Sequence, residues 1–283
     1  EQRLFLRAWG RLGGVAAVEY AIQRWGRDDS FESTAALAGW ASVNPQHALQ
    51  WVQALEESAG KENLVYGLLD GWSTVDFQAA AAFAETRPHS QARDSFRELL
   101  GQRALRAGGI SAAQQWVIGI ADDPLNSDYK KRAFDDVIQA MLYRDPAAAA
   151  GWIVQWNGQP FVGREAITRT AAKLAEASPA QALDWIGSFQ SEGRDTGNAG
   201  ALLGNWANQD SQAAGLWLKE NVNHPSYDAM AENYAFAIRA IDPARADAWA
   251  NTIQDKSIRA SALLGVDPQK RQLYTIASDK SFR

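Results

Sequence analysis

Histidines, paired carboxylates and glycine-rich turns are where chemistry would first be sought in this 283-residue sequence. His47 falls in the expected first turn of a helix, and His89 and His224 each adjoin a proline, Pro88 and Pro225. None has the H-E-x-x-H spacing that puts two imidazoles on one helix face, and without cysteine no thiolate can complete a metal set. The acidic pairs are Asp28-Asp29, Glu56-Glu57, Asp122-Asp123 and Asp135-Asp136. Asp122-Asp123, followed by Pro124 and Asn126, has the composition of a turn and cap and lacks the D-x-D-x-D-G spacing of a calcium loop. Asp135 and Asp136 are neighbours on a helix and point in different directions. A glycosidase pair would need acids converging from separate elements. Gly13-Gly14 and Gly108-Gly109 lack the G-x-x-x-x-G-K-[ST] context of a phosphate loop, and no G-x-S-x-G occurs. The sequence therefore predicts no catalytic residue, no metal site and no cofactor.

Bulk properties narrow the partners. Net charge is −5 with no long Lys/Arg run, which disfavours nucleic acid. No window approaches 18 consecutive apolar residues, so no membrane span is expected. The chain opens on Glu1 without Met and has no cysteine; the expectation is a processed, extracytoplasmic protein, with the compartment left open. The departures from ordinary composition are 12 Trp and 22 Gly.

The tryptophans lead back to the elements that carry them. The stretch 174–186, LAEASPAQALDWI, recurs along the chain. With its Pro as position zero, the aligned starts are Gly14, Pro45, Phe77, Ile110, Pro146, Pro179, Ser211 and Pro243, spaced by 31–36 residues. Position +3 is Ala in every copy: Ala17, Ala48, Ala80, Ala113, Ala149, Ala182, Ala214 and Ala246. Position +6 is Trp51, Trp116, Trp152, Trp185, Trp217 or Trp249, with Tyr20 and Phe83 in the other two. Trp9, Trp40, Trp72 and Trp206 stand at −5. Asn44, Asp76, Asp145, Ser178, Asp210 and Asp242 precede six of the starts and predict helix caps, four of them before a proline at the first helical position. From there Ala, the aromatic and an apolar residue at +7 share one face. A second amphipathic helix precedes each start, as at 128–142, 164–175 and 227–240. The widest step, between Ile110 and Pro146, predicts an inserted loop near 121–126. Asp267-Pro268 restarts the cap early, with Arg271 where Ala is expected; 257–276 is read as a divergent C-terminal cap and 278–283 as a frayed tail. The expected fold is all-α, a single solenoid domain over 1–283 of about eight helix-turn-helix repeats, because a lone hairpin cannot bury its apolar face.

This period, with the phrase W-A-x-x-[DN]-P-x-x-A-x-x-W as in 40–51, resembles the tetratricopeptide-like superfamily and, more closely, divergent repeats of uncharacterised bacterial proteins. Its landmark spacing departs from the standard tetratricopeptide pattern. The resemblance implies a right-handed superhelix that binds protein or peptide in a concave groove, and it carries over no catalytic residue. It further implies that the upstream helix lines the inner face. The −11 and −7 positions then form one stripe: Arg3, Tyr66, Asp135, Thr168 and Glu232, with Arg7, Asp70, Arg103, Gln139 and Phe236. Arg7, Tyr66, Asp70, Arg103, Asp135, Gln139 and Phe236 are the expected binding residues of a non-catalytic scaffold. The competing reading is a carbohydrate-binding or carbohydrate-active protein whose Trp and Tyr stack on sugars. A third is self-assembly through the ends of the chain, marked by exposed apolar residues along 4–12 or 257–264.

Overall fold

A computed structural model describes residues 1–26, 31–190 and 198–268. Asp28-Asp29, Arg271 and the 278–283 tail lie outside the described residues, and so does the later part of the 257–276 cap. The described chain is all-α, with no strand among those residues. Its helices are α1 (Gln2–Gly13), α2 (Val15–Trp25), α3 (Phe31–Ala41), α4 (Pro45–Gln53), α5 (Ala59–Trp72), α6 (Phe77–Glu85), α7 (Gln91–Gly119), α8 (Ser127–Leu142), α9 (Pro146–Gln155), α10 (Arg164–Ala175), α11 (Pro179–Gln190), α12 (Ala199–Gln209), α13 (Ser211–Glu220), α14 (Tyr227–Ile238), α15 (Pro243–Ala250) and α16 (Lys256–Leu263). Two compact units divide the chain, Glu1–Ala140 and Met141–Arg283.

Local chemistry explains the helix starts. Helices α4, α6, α9, α11, α13 and α15 all begin at position zero of the sequence alignment. The side chains of Asn44, Asp76, Asp145, Ser178, Asp210 and Asp242 accept the backbone N–H three residues on, at 2.9–3.4 Å. Each satisfies a donor that the first helical turn would leave orphaned. Where no such side chain exists, glycine makes the corner. Gly14 (φ 57°) separates α1 from α2, and Gly109 (φ 67°, ψ −154°) breaks α7 into two helical segments. Both conformations are closed to residues with a Cβ. The expected helices match α8 and α10 within a residue, while α14 ends at Ile238 rather than 240. There the Asp242 amide turns back onto the Ile238 carbonyl at 2.9 Å, and Pro243 keeps the preceding residue out of helical conformation.

Packing follows the alanine column. All eight alanines at +3 are fully buried, at 0% exposure. Beside them the −5 and +6 aromatics meet: Trp9–Tyr20 at 5.0 Å, Trp40–Trp51 at 6.1 Å, Trp72–Phe83 at 5.9 Å and Trp206–Trp217 at 6.4 Å between ring centroids. These tilted and edge-on contacts lock the downstream helix onto the helix before it in those four units. The column is less deeply buried than its regularity implies: Trp116 and Trp152 are buried, whereas Trp51, Trp185, Trp217 and Trp249 are half-buried. An aromatic plate on a short helix keeps one edge at the hairpin margin, where water reaches it.

In the first unit α1, α3 and α5 lie side by side with main chain against main chain. A Cβ on Gly10 of α1 would strike the Ala36 carbonyl of α3, and one on Gly39 of α3 would strike the Arg7 carbonyl of α1. Gly71 of α5 meets the Ala38 carbonyl in the same way. In the second unit α12 and α14 approach through Gly200, and the core gathers Leu203, Leu218, Met230, Tyr234 and Ile253.

The inserted loop lies at 120–126. Arg93, 2% exposed, holds it: its guanidinium donates to the carbonyls of Leu125 (2.9 Å) and Glu85 (3.0 Å) and to Asn126 Oδ1, and it lies 4.6 Å over the Tyr129 ring. Lys130 donates to the Ile120 carbonyl at 2.9 Å and to Asp122 at 2.7 Å. The same device recurs where Lys61 meets the Leu55 carbonyl and Arg259 the Ile253 carbonyl, both at 2.7 Å. Leu55, Ile120 and Ile253 share position +10, just past a downstream helix, where carbonyls lack helical partners and attract cations.

Candidate functional site

Close packing of α1, α3 and α5 brings distant charges together. Arg7 of α1 donates from Nη1 to Asp70 Oδ2 of α5 at 2.5 Å. Arg103 of α7 donates to Asp70 Oδ1 at 2.5 Å and to the Asp70 carbonyl at 3.2 Å. Three expected binding residues from three helices thus form one half-exposed cluster, a carboxylate bracketed by two guanidiniums. Its net charge is positive, and each guanidinium keeps N–H donors beyond those spent on Asp70. Tyr66 stands one helical turn before Asp70, its ring 6.5 Å from that of Phe96. Partial burial, then the nearby charges of Asp70 and Glu98, raise its hydroxyl pKa above the ordinary tyrosine value. Tyr66 is therefore a neutral hydrogen-bonding group at ordinary pH.

A groove of about 480 Å³ adjoins the cluster, lined by Leu4, Arg7, Ala8 and Arg11 of α1 with Ser42, Thr74 and Val75 just beyond α3 and α5. The Ser42 and Thr74 hydroxyls donate to the Gly39 and Gly71 carbonyls at 2.7 Å, which leaves their oxygens able to accept. This part of the molecule offers cations, hydroxyls and apolar wall together, a surface that can hold an extended or helical segment.

The other expected residues lie elsewhere. Asp135 and Gln139 are half-buried on α8. The neighbouring Asp136 pairs with Arg97 of α7, and Arg132 bridges Asp94 (3.0 Å) and Asp128 (2.9 Å). This ion-pair network ties α7 to α8 and uses charges that a helix face would otherwise offer to a ligand. Arg3 is exposed and lies 4.3 Å over the Phe31 ring. In the second unit Thr168 is half-buried, Phe236 is exposed and Glu232 is buried. Glu232 corrects the expectation of an open stripe: it is 1% exposed, one helical turn before the exposed Phe236.

The histidines do not converge. His47 and His89 are exposed. His224 is half-buried: its Nδ1 accepts the Ser226 N–H at 3.1 Å, which assigns the proton to Nε2, 3.3 Å from the Leu183 carbonyl. Burial lowers its pKa. Among the described residues no group of three His, Cys, Asp or Glu could hold a metal ion, and no helix is long and apolar enough to cross a membrane.

Sequence reasoning passed over the cations that cap carbonyls. Lys61, Arg93, Lys130 and Arg259 all fall in the first turn of a helix, where the dipole favours acids. A base at such a position was the available signal. Leu4, Ala8 and Arg11 fall in the 4–12 stretch read for self-assembly; what was missed is the groove they form with Ser42, Thr74 and Val75, since contacts between separate helices leave no periodic mark. No family model matches the chain, and no curated protein or solved structure matches it.

Proposed function

We propose that this chain is a helical-repeat scaffold, a tetratricopeptide-like solenoid that binds a protein or peptide segment without catalysis. The observation that carries the reading is the Arg7–Asp70–Arg103 cluster, which joins α1, α5 and α7 beside the groove of Leu4, Ala8 and Arg11. Unshielded arginine donors, a neutral tyrosine and nearby hydroxyls suit the carbonyls and carboxylates of a segment lying across the helices. The aromatic-rich composition supports packing over sugar stacking. None of the twelve tryptophans is exposed, and the rings at −5 and +6 pair with one another.

Selection from a displayed peptide library tests this directly. The wild type should enrich a family of peptides that is lost with an Arg7→Glu/Arg103→Glu variant of unchanged circular dichroism. Enrichment of the same family by both proteins would sink the assignment of this face.

A further inference from the structure

Asn157-Gly158 is the only Asn-Gly pair in the sequence, and it falls in the loop between α9 and α10. In such a pair the backbone nitrogen of the second residue can attack the asparagine side-chain carbonyl carbon, because glycine brings no side chain to block the approach. The fold decides whether that chemistry is open. Gly158 is exposed at φ 87°, and a Cβ built on it would meet nothing within 4 Å. Its N–H, the nucleophile once deprotonated, enters no hydrogen bond among the described residues. The Gln159 amide donates to the Trp156 carbonyl at 3.1 Å, closing a turn with Asn157 and Gly158 at its two central positions.

Comparable pairs elsewhere are closed. Asp70-Gly71, the one Asp-Gly pair, lies inside α5, where Gly71 is buried with its main chain against the Ala38 carbonyl. Asn126-Ser127 opens α8, but Asn126 is 4% exposed, and its side chain accepts from Arg93 and donates to Asp123 at 2.9 Å.

We propose that Asn157 is a site of spontaneous deamidation, where water and the chain's own backbone convert an amide into a carboxylate. Solvent base takes the Gly158 N–H proton, and the nitrogen attacks Asn157 Cγ. The N–Cγ bond forms as the Cγ–Nδ2 bond breaks, and the side-chain nitrogen gains a proton and leaves as ammonia. Water then opens the cyclic succinimide at either carbonyl. Opening at Cγ gives aspartate. Opening at the main-chain carbonyl carbon gives isoaspartate, whose backbone runs through Cγ and is one carbon longer. Either product makes the net charge of −5 one unit more negative.

The extra carbon falls inside the Trp156–Gln159 turn. Beyond it, Val162 N–H donates to the Gln159 carbonyl at 3.1 Å, Phe161 and Val162 are buried, and the Phe161 ring lies 5.9 Å from that of Trp156. Gly163 offers α10 no capping side chain, so the loop geometry sets where that helix starts. Isoaspartate at this position therefore loosens the α9–α10 connection as the protein ages.

The test incubates the chain in mildly alkaline buffer beside a synthetic peptide of residues 154–161, and maps both by mass spectrometry with electron-transfer fragmentation. Asn157 should convert at least ten-fold faster than any other asparagine of the folded chain, and within ten-fold of the free peptide, with isoaspartate among the products. Conversion should quicken as pH rises, because the attacking nitrogen must lose its proton. Asn157→Gln, whose longer side chain must close a larger ring, should remain intact. Limited proteolysis within 156–163 should rise at least three-fold on ageing in wild type and stay constant in that variant. An intact Asn157 in the folded chain while the peptide converts would overturn the proposal, because the fold would then shield the site. So would faster conversion at another asparagine, or proteolysis that rises equally in Asn157→Gln.

Discussion

Arg7 reaches past α3 to Asp70, forming a 2.5 Å ion pair between α1 and α5 at the register where α3 carries only Ala38. The short alanine and the glycine-mediated approach of the three helices make the span possible. Gly39→Ala forces the Arg7 carbonyl away, and over-packing of this kind should cost about 3 kcal/mol. Urea unfolding measures it, and a loss of under about 0.5 kcal/mol would refute main-chain contact between the helices.

The tryptophan column should split by depth. Trp116 is buried and Trp217 half-buried, so Trp116→Ala should cost about 4 kcal/mol and Trp217→Ala about half as much. Equal losses would show that exposure does not grade this column.

Arg93 serves three oxygen acceptors and the Tyr129 ring at once. Arg93→Met strands those acceptors in the interior, which should cost about 3 kcal/mol. Arg93→Lys should recover little of it, because an ammonium group cannot span the same acceptors. Full recovery by lysine would mean that charge alone holds the 120–126 loop.

His224 makes stability depend on pH with a definite sign. Burial holds its folded pKa below the ordinary histidine value of 6.5, outweighing the Leu183 carbonyl and Asp184, which raise it. The unfolded chain therefore takes up the proton first. The stabilisation is complete above pH 6.5 and is lost as pH falls through the folded pKa. Melting temperatures from pH 8 to about 5 should fall less steeply for His224→Gln than for wild type. Parallel curves would remove His224 as the source.

Two glycines should respond oppositely to alanine. Gly109 sits at φ 67°, ψ −154°, so Gly109→Ala should cost about 1–3 kcal/mol. Gly151 lies within α9, and a Cβ there would meet nothing within 4 Å, so Gly151→Ala should stabilise by about 0.5–1 kcal/mol. Thermal melts separate the two signs.

The helices were legible because their signals are local. A capping Asp, Asn or Ser and an alanine four residues on act within about one turn, and six helices begin at such caps, four of them with a proline at the first position. Part of the candidate site was legible too, since Arg7, Asp70 and Arg103 share a register across separate helices. Periodicity could not show that Glu232 is covered or that Asp136 is taken by Arg97. Those outcomes depend on which helix lies alongside and how closely, and a single helix's pattern does not encode its neighbour. The loop at 120–126 was visible as extra length, but the cations that hold it reach it from α7 and α8.

The glycine contacts between α1, α3 and α5 also bear on mechanics. Where backbone touches backbone, no rotamer change can lengthen the contact, so bending passes directly from one helix to the next. These three helices should deform together as one stiff plate. Compliance then concentrates at the Gly108–Gly109 corner inside α7, where the backbone leaves helical conformation. A load on α1 would be felt as rotation there, beside Arg103 and its grip on Asp70.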